Sequence, residues 1–175
     1  LGATCYANSV FQQLFYIKEF RNLILSKHAE QGSWIFELQL LFSRMLFSPF
    51  EYIDTSNFFK LWRGWDGEIV HTFEQQDSVE FLQLIIDRTA ELFPEATEIF
   101  KGSILHKIVG TEVSYENKNE EQFTTISIDV INQKNIYDSF EHFLIPDFHT
   151  NYEAGDLGKI DVKRYHQISK FPEVF

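Results

Sequence analysis

The hydrophobic period changes once along this chain, near Ile99, and that change limits what it can fold into. Before Ile99 the apolar residues recur at the three-and-four spacing of amphipathic helices; after it they alternate as in strands. A helix starting near Cys5 carries Val10, Phe11, Leu14 and Phe15, and Phe20, Leu23 and Ile24 continue a periodic face toward Ser26. Residues 34–47 repeat the pattern with Trp34, Leu38, Leu41, Phe42, Met45 and Leu46, ending before Pro49. Thr55 or Ser56 is placed to cap a short helix carrying Phe58, Phe59, Leu61 and Trp62. The segment from Phe73 to Asp87 is the clearest helix, with Val79, Phe81, Leu82, Ile85, Ile86 and Leu92 on one broad face. Gln76, Glu80, Gln83, Asp87 and Glu91 form a stripe opposite, which is ordinarily a solvated face. Asp77 falls in the first turn, where a carboxylate suits the helix dipole.

Beyond Ile99 the expected strands are 104–109, 112–116 and 162–168, with Asn117-Lys118-Asn119 as a turn. Residues 123–130 alternate, with Ile126, Ile128 and Val130 on one face. Asn135 is placed to cap a short helix carrying Ile136, Phe140, Phe143 and Leu144, closed by Pro146. Residues 151–158 read as loop. Helices first and strands afterwards make an α+β chain.

Composition narrows the function classes. The 44% hydrophobic content with 19 Phe, 7 Tyr and 3 Trp requires a packed core. A formal charge of −11, from 26 acidic against 15 basic residues, argues against a nucleic-acid partner. No apolar run approaches the roughly 20 residues a membrane helix needs. One cysteine excludes an internal disulfide and any multi-cysteine zinc site, and fits a reducing compartment, cytoplasm or nucleus.

That cysteine has an informative setting. Gly2 and Ala3 leave the backbone open ahead of it, and Thr4 is a natural N-cap, so Cys5 sits where a helix starts. A thiol there feels the positive end of the macrodipole, which favours the nucleophilic thiolate. The alternative is a small buried hydrophobe, the commoner fate of a lone cysteine.

Two boxes resemble those of the ubiquitin-specific proteases, papain-like deubiquitinating cysteine peptidases. Gly2-Ala3-Thr4-Cys5-Tyr6-Ala7-Asn8-Ser9-Val10-Phe11-Gln12-Gln13-Leu14 is similar to that family's G-[NA]-T-C-Y-x-N-S-x-x-Q-x-L, apart from Ala7 where Met is usual. Gln75-Gln76-Asp77-Ser78-Val79-Glu80-Phe81-Leu82 is similar to its Q-Q-D-x-x-E-F-L. Weaker matches run to Phe171-Pro172-Glu173-Val174, and the look is nearest the branch of the herpesvirus-associated and fat-facets-like proteases. The resemblance implies a papain-like α+β fold: a helical thumb over 1–93, then the start of β-rich fingers and palm over 94–175. It implies that Cys5 attacks the isopeptide carbonyl after the C-terminal glycine of ubiquitin, with ubiquitin and ubiquitinated proteins as partners and no cofactor. It implies that Asp77 and Asp87 meet arginines of the ubiquitin tail, Leu-Arg-Leu-Arg-Gly-Gly, while Glu80 is structural. Gln75, Trp65 and Tyr6 are implied as further contacts to that tail.

Three departures qualify the match. None of His28, His71, His106, His142, His149 and His166 stands in the family's G-H-Y context, so the general base is expected in sequence downstream. The oxyanion-hole Asn would fall immediately before Leu1. Where many members carry two Cys-x-x-Cys zinc pairs, this chain has Gly110 and Val113, then Ala154 and Leu157, so no structural zinc is expected. The other reading is a ubiquitin-binding scaffold of the same fold that never completes a triad. Residues 1–175 alone are therefore expected to hydrolyse no ubiquitin substrate; turnover by the isolated segment, abolished by Cys5→Ala, would contradict this.

Overall fold

The computed structural model describes residues 2–174, and the chain divides into two units, 1–99 and 100–175. The first is helical: α1 (Cys5–Tyr16), α2 (Lys18–Ser26), α3 (Trp34–Phe47), α4 (Ser56–Leu61), α5 (Ser78–Leu92) and α6 (Glu95–Phe100), which runs to the boundary. Its core is aromatic. Phe11 of α1 meets Phe58 of α4 edge-on at 5.0 Å and Phe81 of α5 at 5.5 Å. Trp62, just past α4, stacks on Phe58 at 5.1 Å and meets Trp34 at 5.2 Å and Phe81 at 5.5 Å. Edge-on and offset contacts of this kind add to the area that each ring removes from water.

Helix starts are set by polar side chains, not always the expected ones. Ser33 accepts from the Phe36 N–H at α3, and Asn135 caps its helix as its position predicts. At α4 the Thr55 side chain makes no capping bond. Asp54 takes the role, accepting from the Ser56 N–H at 2.9 Å and from its hydroxyl, and those bonds hold its carboxyl below the usual range. Helix α5 begins at Ser78, so Phe73 to Gln76 precede it and Asp77 is the N-cap itself, not a first-turn residue. Its buried face is Phe81, Leu84, Ile85, Ile86 and Thr89; Val79 and Leu92, expected on that face, are exposed because they lie in the end turns.

The second unit is a four-stranded antiparallel sheet of order β2-β1-β4-β3, from β1 (Gly102–Gly110), β2 (Glu116–Phe123), β3 (Asp147–Glu153) and β4 (Lys159–Lys170), with α7 (Ile136–Phe143) between β2 and β3. Asn117, Lys118 and Asn119 lie inside β2, not in a turn, because pairing with Ile108, Lys107 and His106 overrides their weak strand propensity. The turn falls instead at 111–115, where a strand was expected. The expected strand over 123–130 ends at Phe123, opposite Gly102, since no partner strand extends the ladder. A side chain at Gly102 would stand 2.3 Å from the Phe123 ring, which accounts for glycine there. Asn151 and Tyr152, expected in loop, belong to β3; Asn151 takes φ +58° at an irregularity in the β3–β4 register, a conformation asparagine tolerates.

A chain of polar side chains crosses all four strands. His106 and His166, register partners on β1 and β4, share a hydrogen bond between their Nδ1 atoms at 3.0 Å. His166 Nε2 lies 3.2 Å from Asp147 Oδ2 on β3, and His106 Nε2 lies 3.4 Å from Glu121 Oε2 on β2. At the sheet end where zinc pairs would stand, Tyr115 and Tyr152 meet at 6.0 Å, and Thr111 donates through N–H and hydroxyl to the Asp161 carbonyl. Among the described residues no three His, Cys, Asp or Glu side chains gather to hold a metal, and no helix is long and apolar enough to cross a membrane.

Phe58, 2% exposed, joins five aromatic partners, Phe11, Trp34, Phe59, Trp62 and Phe81, so Phe58→Ala is expected to cost about 3–5 kcal/mol in urea unfolding of the chain.

Candidate active site

The Cys5 thiol is exposed at the first residue of α1. The turn before it closes through the Thr4 N–H and Gly2 carbonyl at 3.0 Å. A side chain at Gly2 would stand 1.9 Å from the Thr72 carbonyl oxygen, so glycine lets this segment press against the backbone leading to Gln75-Gln76-Asp77. The neighbours of Cys5 on the helix are core: Thr4, Tyr6 and Ala7 are buried. Thr4 makes no capping bond, contrary to its sequence reading; its hydroxyl accepts from Asn8 Nδ2 at 3.5 Å. The first i→i−4 bond runs from the Asn8 N–H to the Thr4 carbonyl, so the N–H groups of Cys5, Tyr6 and Ala7 precede the helix ladder. Such groups suit negative charge developing beside the sulfur.

The next residue, Tyr6, lines a groove of about 480 Å³ with two walls. One wall is the hairpin from Trp62 to Val70, contributing Trp62, Gly64, Trp65, Asp66, Glu68 and Ile69. The other is the start of α5 and the loop before it, contributing Glu74, Gln76, Asp77, Glu80 and Leu84. Five of the lining side chains are carboxylates and no lysine or arginine lines it, so the groove concentrates negative potential over an aromatic floor of Tyr6, Trp62 and Phe81. The Tyr6 hydroxyl is buried with no hydrogen-bond partner among the described residues. Burial pushes its phenol above the ordinary value, and charge on Cys5 pushes the same way, so the group keeps its proton and can donate. Carboxylates over aromatic rings are chemically complementary to a cationic, partly apolar ligand.

The site residues expected from sequence divide accordingly. Tyr6, Trp65 and Asp77 line the groove. Gln75 is exposed beside it, and Gln76 takes the lining position. Asp87 is exposed and outside the lining, about 20° around α5 from Glu80 and two turns on, so it extends the same acidic stripe beyond the cavity. Glu80, expected to be structural, lines the groove. Asp77 does two things: its Oδ1 accepts from the Val79 and Glu80 N–H groups at 2.6 and 3.1 Å, while the residue faces the cavity. Of the histidines only His71 lines the groove, and Cys5 has no hydrogen bond to any histidine among the described residues. Sequence reasoning missed Asp66, Glu68 and Glu74. The signal for the first two was Asp66-Gly67, a hairpin dipeptide: Gly67 takes φ +81°, and Asp66 accepts from the Glu68 N–H at 2.9 Å.

An exposed cysteine opens a helix, and the residue after it lines an acidic, aromatic groove; comparison with known proteins names the family that carries this arrangement. The model described as ubiquitin carboxyl-terminal hydrolase matches residues 1–175, and the chain belongs to that family. It is 30% identical over 155 residues to ubiquitin carboxyl-terminal hydrolase 34 of Mus musculus, covering 84% of this chain and 4% of that protein. It is 28% identical over 188 residues to ubiquitin carboxyl-terminal hydrolase 15 of Saccharomyces cerevisiae, covering 99% of this chain and 15% of that protein. Similarity to human ubiquitin carboxyl-terminal hydrolase 9Y is 26% over 232 residues, 99% of this chain and 9% of that protein. The chain thus spans a small part of the relatives it matches.

The two roles of Asp77 separate by substitution. Asparagine caps as well as aspartate, so Asp77→Asn is expected to leave unfolding stability near wild type while weakening binding of an arginine-containing peptide in calorimetry. Asp77→Ala is expected to lose both, with about 1 kcal/mol of stability gone.

Proposed function

We propose that this chain carries the nucleophile and part of the substrate groove of a deubiquitinating thiol hydrolase, acting on ubiquitin and ubiquitinated proteins. The observation that carries the reading is the exposed Cys5 at a helix start, one residue from a side chain that lines an acidic, aromatic groove. The Cys5 thiolate adds to the carbonyl carbon after the last glycine of ubiquitin, and the N–H groups of the first turn stabilise the oxyanion. Collapse expels the lysine amine, which takes up a proton, and leaves a thioester; water then hydrolyses it to free the carboxylate and the thiol. A general base moves these protons; among the described residues no histidine hydrogen-bonds to Cys5. The tail arginines pair with groove carboxylates, Asp77 through Oδ2 among them. A single exposed thiol suits a reducing compartment, cytoplasm or nucleus.

Ubiquitin bearing a C-terminal electrophile is expected to label the full-length protein at Cys5, with labelling lost in Cys5→Ala and slowed in Asp77→Asn. Labelling that survives Cys5→Ala would assign the chemistry to another residue. A full-length protein that binds ubiquitin without reacting would be a scaffold of this fold.

A further inference from the structure

The hairpin wall of the groove is well built within itself. The Gly64 N–H donates to the Glu68 carbonyl at 2.8 Å, the Gly67 N–H to the Gly64 carbonyl at 3.1 Å, and Arg63 and Ile69 form a bridge. None of those bonds sets how far the hairpin stands from α5, the other wall. Trp62 anchors its root in the core, but Trp65 beyond it is 62% exposed. A hairpin held only at its root could swing and change the groove's width.

Arg88 spans this gap. It lies on α5 one turn beyond Leu84, the last groove-lining residue of that helix. Its Nη1 donates to the Arg63 carbonyl at 2.7 Å and its Nη2 to the Gly64 carbonyl at 2.9 Å. The same guanidinium lies over the Trp62 ring, 4.8 Å from its centre. Three contacts to three consecutive residues fix position and orientation together, which the planar fork of arginine allows and a point charge does not. The two carbonyls belong to the residues immediately before Trp65. Arg88 itself does not line the groove, so its charge is spent on the hairpin stem rather than offered to a cationic peptide.

We propose that Arg88 is a positioning residue that sets the spacing between the Trp65 hairpin and α5, and thereby the affinity of the groove for its peptide. The proposal rests on the groove being the substrate-tail site. A binding wall displaced by about 1 Å costs up to a hundredfold where its contacts are made. Because Arg88 touches neither sulfur nor substrate, the loss is expected in KM, with kcat nearly unchanged.

The test uses full-length protein, ubiquitin carrying a fluorogenic C-terminal amide, and Arg88→Ala, Arg88→Lys and Asp77→Asn, at a temperature where each variant is folded by circular dichroism. Arg88→Ala is expected to raise KM at least about tenfold with kcat within about twofold. Arg88→Lys is expected to restore part of that loss, since an ammonium can reach a carbonyl without holding the plane. Acrylamide quenching of Trp65, isolated by difference against Trp65→Phe, is expected to rise in Arg88→Ala without substrate present. A fall in kcat at constant KM, or unchanged Trp65 quenching beside a clear Asp77→Asn effect, overturns the role of Arg88 alone. Increased quenching in Arg88→Ala with no Asp77→Asn effect on KM overturns the groove reading and keeps the clamp.

Discussion

Trp62 is the residue on which the site's geometry hangs. Its ring stacks on Phe58, meets Phe81 and Trp34 edge-on, and receives the Arg88 guanidinium on its face. It is 1% exposed, and the next residues leave the core to form the hairpin. One indole therefore ties α3, α4 and α5 together and roots one groove wall, while Phe81 beneath it roots the other. Aromatic rings make a firm joint because each buries a large rigid area at small entropic cost and prefers defined angles, so the contact resists shear.

Two helix starts frame the candidate site, and their caps differ. At α5 one oxygen of the Asp77 carboxylate satisfies two N–H groups while the residue lines the groove. At α1 Thr4 gives no side-chain cap, and the N–H groups beside Cys5 remain ahead of the ladder. A side-chain cap at α1 would compete with any negative charge that develops beside these N–H groups. Gly2, pressed to Thr72, brings the two segments within backbone contact.

The sheet unit is organised by polar pairing along its strands as much as by apolar burial. Its edge strand β2 is nearly all exposed and heavily charged, which discourages pairing with another chain. The Glu116 carboxyl is held below its usual range by Lys118 and Lys107, and the linked His106 and His166 bond the two central strands at one register.

Much of this was readable in order along the chain. The helical spacing over 34–47 gave α3 to the residue, Asn135 capped its helix, and Cys5 stood at a helix start, because those features depend on neighbours within one turn. The family boxes named the class for the same reason: they are local strings. What the string left open depended on partners far away in sequence. Asn117 to Asn119 became strand because β1 lay alongside; 124–130 did not because nothing did. Asp66 and Glu68 line the groove through an Asp-Gly turn, in a hairpin whose stem carbonyls bond to Arg88 of α5, 24 and 25 residues away. Sequence alone thus named the candidate groups and the family, through short-range backbone preference and side-chain chemistry. Tertiary structure decided which of them share a cavity, because burial and long-range hydrogen bonds fix distances that no local pattern encodes.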